Sequence, residues 1–177
     1  DAAGEVLDKV ARSLGLPYPG GAALEALAEK GDSDAIDFPR AWLEPNSFDF
    51  SFSGLKSHVL NYLNRAAMKG ETVNHADVAA SFQKALFEVL AEKSVRACKE
   101  KGVKRLVLSG GVAANRCLRL MILERAGKEG ILFHYPPKVL CTDNAAMIGA
   151  AGYYEYINGA RAGWDLNAVP NLKLGER

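Results

Sequence analysis

Leu106-Val107-Leu108-Ser109-Gly110-Gly111-Val112-Ala113-Ala114-Asn115-Arg116-Cys117-Leu118-Arg119 is the stretch on which the fold turns. Arg105 to Ser109 is a short apolar run of the kind found in buried parallel strands. Two glycines break it, and the spacing then predicts a helix from Ala113 to Ala126, with Gly127 and Gly130 around its end. Ile131 to Tyr135 is a second strand candidate, stopped by Pro136-Pro137. Strand, helix and strand of these lengths make a βαβ unit, whose strands are parallel and whose crossover is right-handed. The glycine pair lets a ligand approach the backbone closely, and free amides at a helix start favour an anion or a nucleotide edge. The same residues also suit an ordinary tight strand-to-helix turn. Asn115, in the first turn of the expected helix, is placed to hydrogen-bond a hydroxyl or a base.

N-terminal to this unit the chain reads as helices. Val6, Leu7, Val10, Ala11 and Leu14 recur at helical spacing over 5–15, and Gly15 ends the pattern. Pro17-Tyr18-Pro19-Gly20-Gly21 breaks any helix, and Ala22 to Lys30 is a short second one. Residues 31–53 are irregular, with strand and extended loop both open for Phe48 to Ser53. Leu55 to Lys69 is amphipathic and closed by Gly70. The next helix has Asn74 as its cap, Asp77 as an approximate capping-box partner, and Val78, Phe82, Leu86, Val89 and Leu90 as its apolar stripe. These helices read as core packing. Asn144 to Ile157 is a last helix, rich in small residues and closed by Gly159. The expected divisions are a helical part over 1–102, a βαβ part over 103–160 and a loop-like tail over 161–177.

Bulk properties narrow the function. The 177 residues carry 22 Lys plus Arg against 21 Asp plus Glu, so the basic excess of a stand-alone nucleic-acid binder is absent. The three cysteines form no CxxC pair, which argues against a disulfide framework or a zinc knuckle and favours a reducing cytoplasm. No apolar run approaches the ~18 residues of a membrane span, and no signal peptide opens the chain. The chain opens at Asp1 without Met, and the expectation is that it starts in mid-domain.

Two further segments carry candidate chemistry. Cys141-Thr142-Asp143-Asn144 follows a strand and opens a helix. Thr142 or Asp143 can cap that helix. Alternatively, Asp143 is a metal ligand or a phosphate-facing carboxylate at the C-terminal edge of the sheet, where ligands bind in open α/β sheets. Asp1, Glu5 and Asp8 share a helix face. They suit a solvated acidic face, or one that closes over a ligand with the Gly20-Gly21 turn. His58, His75 and His134 make no HxxH, HxxxH or HExxH pair, so no complete metal site is visible.

Three segments together resemble the tRNA N(6)-adenosine threonylcarbamoyltransferase family, whose members were earlier described as glycoproteases or O-sialoglycoprotein endopeptidases. They are DAAGEVLDKVARSLGLPYPGG (1–21), FDFSFSGLKS (48–57), and LVLSGGVAANRCLR with CTDNAAMIGAAGY (106–119 and 141–153). The resemblance runs from Asp1 to about Tyr156, and FDFSFSGLK is similar to the bacterial branch. It implies an α/β fold: part of an actin-like ATPase (ribonuclease H-like), namely its second lobe, helix-rich with a short parallel βαβ core. It also implies transfer of a threonylcarbamoyl group from an adenylate donor to an adenosine beside the tRNA anticodon. Asp143 then matches a metal aspartate. Asp8, Gly21 and Asn115 match substrate-binding positions, Gly110 and Gly111 flank the nucleotide, and Glu25 matches a further acidic position. Ala22 stands where the family often has Pro.

One divalent metal, iron or zinc, and an adenylate donor or ATP are the implied cofactors. The implied partners are tRNA, an actin-like paralogue subunit, the ATPase of the pathway and a first lobe that would supply the histidine pair. No general base is identified. The sheet is expected to expose an edge that another chain covers, and the chain alone is expected to be inactive. Rival readings are a non-catalytic actin-like partner subunit and another actin-like phosphotransferase. Asp143 with the full SGGVAANR disfavours the first, and FSFSGLK with CTDNAAM disfavours the second.

Overall fold

A computed structural model describes residues 2–44 and 46–173, in two units, 1–142 and 143–177. Asp1 lies outside the described residues, so the acidic face is seen only from Glu5 and Asp8.

The first unit is built on one long helix. Its elements are α1 (Ala3–Ser13), α2 (Gly20–Ala28), α3 (Ser53–Lys69), α4 (His75–Glu100), β1 (Arg105–Val107), α5 (Arg116–Lys128) and β2 (Leu132–His134). Short 3₁₀ turns at Gly111–Ala114 and Lys138–Leu140 follow the two strands. α4 is contacted by α2, α3, α5 and β1. The stripe Val78, Phe82, Leu86 and Val89 is buried as the spacing predicts, but Ala79, Ala80, Ala85, Phe87 and Ala91 are buried as well. Alanines around the helix let its neighbours come close on several sides. Val6, Leu7, Val10, Leu24, Phe82, Leu86, Phe87, Leu118 and Ile122 share one core with it. Each large side chain buried there contributes roughly 1.5–3 kcal/mol. Val95, Cys98, Ala126 and Ile131 form a smaller cluster.

The caps follow backbone chemistry. Asn74 accepts from the Ala76 amide at 3.0 Å. Gly70 ends α3 at φ 68, a left-handed conformation that glycine adopts without strain. Asp77 does not complete a capping box, because its Oδ1 accepts from the Asp32 amide at 2.8 Å. Ser81 Oγ donates to the Asp32 carbonyl and accepts from the Ile36 amide, both at 3.2 Å. The loop after α2 is thus stitched to the start of α4. Gly31 makes this crossing possible, since a Cβ there would sit 2.1 Å from the Ala76 carbonyl oxygen.

Phe48 to Phe52 takes the extended-loop reading, not the strand. Two cations of α4 hold it: Lys93 Nζ donates to the Asp49 carbonyl at 2.5 Å, and Arg96 Nη2 donates to the Ser47 carbonyl at 2.7 Å. Arg96 also lies over the Phe48 ring and Lys93 over that of Phe50. Lys93 is buried, and that desolvation, with Arg96 nearby, pulls its ammonium below the ordinary lysine range.

β1 and β2 pair in parallel, with Leu106 opposite Phe133, and α5 joins them, as the βαβ reading requires. Both strands are shorter than their apolar runs. Their burial also departs from expectation: Leu106 and Phe133 are half-buried against the core, while Val107 and Leu132 are exposed. A two-stranded sheet covered on one face leaves alternate residues to solvent. The helix expected from Ala113 begins instead at Arg116, because Gly111–Ala114 tightens into a 3₁₀ turn.

The second unit contains α6 (Ala145–Ile157), followed by an irregular stretch through residue 173. Its cap is Asn144, whose side chain accepts from the Met147 amide at 3.0 Å, and not Thr142 or Asp143. Among the described residues no helix is long and apolar enough to cross a membrane.

Candidate functional site

Most of the residues singled out in the sequence meet at helix N-termini. α2 begins after Pro19, which has no side-chain acceptor to offer. Asp8 supplies one from α1: its Oδ1 accepts from the Gly21 amide at 3.2 Å. The carboxylate also suits the partial positive charge at a helix start. Gly20 lets the two helices come this near, since a Cβ there would stand 2.7 Å from Ala11 Cβ and 2.9 Å from Asp8 Oδ1.

The start of α5 repeats the device twice. Glu25, projecting from α2, accepts from the Arg116 amide through Oε1 at 2.6 Å. Asn115 caps the helix itself, its Oδ1 accepting from the Leu118 amide at 3.1 Å. Its Nδ2 donates to Gln83 Oε1 of α4 at 2.7 Å, and the residue is only 6% exposed. Asn115 is therefore a cap one residue before the helix, not a member of its first turn. Gly110 enters the turn at φ 87, which favours glycine. Gly110 and Gly111 are exposed, so their backbone is open to a ligand. Gly4 at the head of α1 abuts the same turn, 3.4 Å from Val112 Cγ2 to a Cβ placed on it. The heads of α1 and α5 thus meet at this turn, while Asp8 and Glu25 bind α1 to α2 and α2 to α5.

Two concavities flank this cluster. A cleft of about 470 Å³ lies between α2, α4 and α5. Ala28, Leu120 and Met121 give it apolar walls, and Glu25, Gln83, Lys84 and Arg116 its polar groups. Cys117 also lines it, and burial, then Glu25 and Glu88, push its thiol above the ordinary cysteine value. A groove of about 250 Å³ lies beside Asp8, bounded by Glu5, Lys9, Arg12, Tyr18 and Gly20.

Asp143 is exposed at the head of the second unit. Among the described residues no three of His, Cys, Asp and Glu gather as a metal site. His58, His75 and His134 are all exposed, and His58 Nδ1 lies 2.9 Å from the Gly54 carbonyl oxygen of its own helix.

Sequence reasoning passed over Gln83 and read Cys117 as structural. Gln83 offered one signal: it is a polar residue inside the Val78–Leu90 run, on a helix that packs on several sides. Cys117 offered none, because its surroundings come from two other helices.

The architecture, mostly helical with a short parallel two-stranded sheet, is similar to that in the crystal structure of T.kodakarensis HypF. The TM-score is 0.60 and the identity 27%, over 90% of this chain and 20% of that one. The family model of TsaD, tRNA N6-adenosine threonylcarbamoyltransferase, matches residues 1–150, and this chain belongs to that family. A tRNA N6-adenosine threonylcarbamoyltransferase of Clostridium botulinum (strain 657 / Type Ba4) is 56% identical over 177 residues, 100% of this chain and 52% of the relative. One of Desulfitobacterium hafniense (strain Y51) is 59% identical over 174 residues, 98% of this chain and 51% of the relative. The chain spans about half the length of the curated relatives it matches.

Proposed function

We propose that this chain is the nucleotide-holding part of an enzyme that moves a threonylcarbamoyl group from threonylcarbamoyl-adenylate to the N6 amine of the adenosine next to the anticodon in tRNAs. The observation that carries the reading is the gathering of Asp8, Gly21, Glu25, Gly110, Gly111 and Asn115 around linked helix starts, in a chain of this family. In this reading the chain is the second lobe of an actin-like fold, which the likeness to HypF supports.

In the reaction the adenosine amine attacks the carbamoyl carbon. The new C–N bond forms, the C–O bond to the phosphate breaks, adenylate leaves with that electron pair, and the amine gives up a proton. The chain's own task is positioning. The exposed backbone of the glycine turn, which no side chain caps, would take an anionic phosphate through its amides. The Asp8 carboxylate keeps one oxygen on the Gly21 amide and has a second for ribose hydroxyls. The cleft beside Glu25 and Arg116 has apolar walls suited to a base. Holding the donor in one orientation accelerates attack without covalent work by the protein.

The family resemblance implies an iron or zinc ion. The residues described here do not complete a site for it: Asp143 offers one carboxylate, and no ligand cluster surrounds it. No step is therefore assigned to the metal, and the chain by itself is expected to bind nucleotide without catalysing transfer. The tRNA, an actin-like paralogue subunit and the ATPase of the pathway are the partners of this reading, and the cytoplasm its setting.

Calorimetric titration of the chain with AMP tests it. Asp8→Asn retains an oxygen for the Gly21 amide and removes the charge, so folding should persist while AMP affinity falls about tenfold. Equal affinity in the two proteins would remove Asp8 from the site, and no binding to folded wild type would overturn the nucleotide reading. Combining the chain with the part of the Clostridium botulinum relative that it does not match should restore threonylcarbamoylation of tRNA, read by nucleoside mass spectrometry.

A further inference from the structure

Arg119 sits in the second turn of α5, and its guanidinium reaches two separate segments. Nε donates to the Ala113 carbonyl in the turn after the glycine pair. Nη2 donates to the Pro136 carbonyl at 2.9 Å and to Cys141 Sγ at 3.1 Å, both on the stretch that follows β2. Its guanidinium carbon lies 4.4 Å from the centroid of the Tyr135 ring. Ala113 and Cys141 are both buried. Among the described residues Arg119 forms no ion pair, so this cation is committed to neutral groups: two carbonyls, a thiol and an aromatic face. Only geometry explains that choice. A planar fork has donors fixed in direction and a face free to stack, whereas a lysine ammonium is a single compact point.

The two segments have a common place in the fold. Each follows the C-terminal end of one of the paired parallel strands, the edge at which open α/β sheets hold ligands. The first carries the Gly110-Gly111 turn and Asn115. The second reaches Asp143 two residues beyond Cys141.

We propose that Arg119 is a positioning residue that holds the glycine turn and the 135–141 segment in one register, so that occupancy of the turn is felt where the chain runs on toward Asp143. The link between occupancy and catalysis rests on the nucleotide reading above, but the mechanical coupling of the two segments does not.

Arg119→Lys keeps the charge and removes the fork. In the free chain, amide hydrogen exchange at 111–115 and at 138–142 should accelerate together by about tenfold. Alkylation of Cys141 should quicken in parallel, while exchange across the middle of α4 stays as in wild type. Acceleration in one segment alone, or in neither, overturns the proposal, as does a lysine variant that behaves like wild type. If Arg119→Lys loosens α4 as well, Tyr135→Leu leaves the guanidinium donors in place, removes the ring under Arg119 together with its contact to Phe133, and should give the same paired response at lower amplitude. Saturating AMP should protect both segments in wild type and only the turn in Arg119→Lys. Equal transmission in the variant overturns the coupling. Protection of neither segment in wild type counts against the nucleotide reading instead, and the exchange of the free chain still decides the role of Arg119.

Discussion

At the head of α5, Asn115 caps its helix from a buried position, with its amide nitrogen on Gln83 of α4. At the head of α6, Asn144 makes the same type of cap, to the Met147 amide at 3.0 Å, from a partly exposed position. α5 buries Leu118, Ile122 and Ala126, whereas α6 buries none of its residues. Water can replace the lost partner of an exposed cap. A buried cap has little access to water, Asn115 being 6% and Gln83 3% exposed, so removing Asn115 also takes the partner of the Gln83 amide oxygen. The same local grammar therefore supports two different loads.

Asn115→Ala should show the largest effect. A lost cap costs about 1 kcal/mol and an unsatisfied buried acceptor a further ~1–3 kcal/mol, so unfolding in urea should lose roughly 2–4 kcal/mol. A loss within a few tenths would break the contrast. Pairing it with Gln83→Ala sharpens the contrast: the double variant should fall short of the summed single losses by about 1 kcal/mol or more.

The first turn of α5 also has a pH signature. Burial, Glu25 and Glu88 raise the Cys117 thiol above 9.0, so the native state holds its proton longer than the unfolded chain does. Stability should accordingly decline as pH rises past 9.0 toward the raised native value, and below 9.0 the group should have no effect. Thiol alkylation of the native chain near that pH should be slower than for a free cysteine, and Glu25→Gln should recover part of the rate. Unchanged alkylation in Glu25→Gln would mean that the carboxylate does not act on this thiol.

Asn144→Ala should show the smallest effect, at most about 1 kcal/mol. A loss matching that of Asn115→Ala would mean that the head of α6 is buried against something in solution.

Much of the fold is legible along the chain. Gly70, Gly102, Gly130 and Gly159 all adopt positive φ where the spacing ends a helix or precedes a strand. The parallel βαβ unit follows from element lengths alone. Other features misled. Asp77 reads as a capping-box partner, but the loop crossing at Gly31 takes its carboxylate. Lys93 carries no mark along the chain of its burial under the 47–52 loop, where it donates to the Asp49 carbonyl.

Sequence by itself determined the helices, the turns, the parallel pair and the family, because each depends on backbone sterics and apolar spacing within a few residues, or on motifs kept in order. Tertiary structure alone decided what Asp8, Gln83 and Glu25 do. Their bonds to Gly21, Asn115 and Arg116 span 13, 32 and 91 positions. A helix start states locally that its amides need acceptors; which distant carboxylate or amide arrives to meet them is fixed only when α1, α2, α4 and α5 pack around a common core.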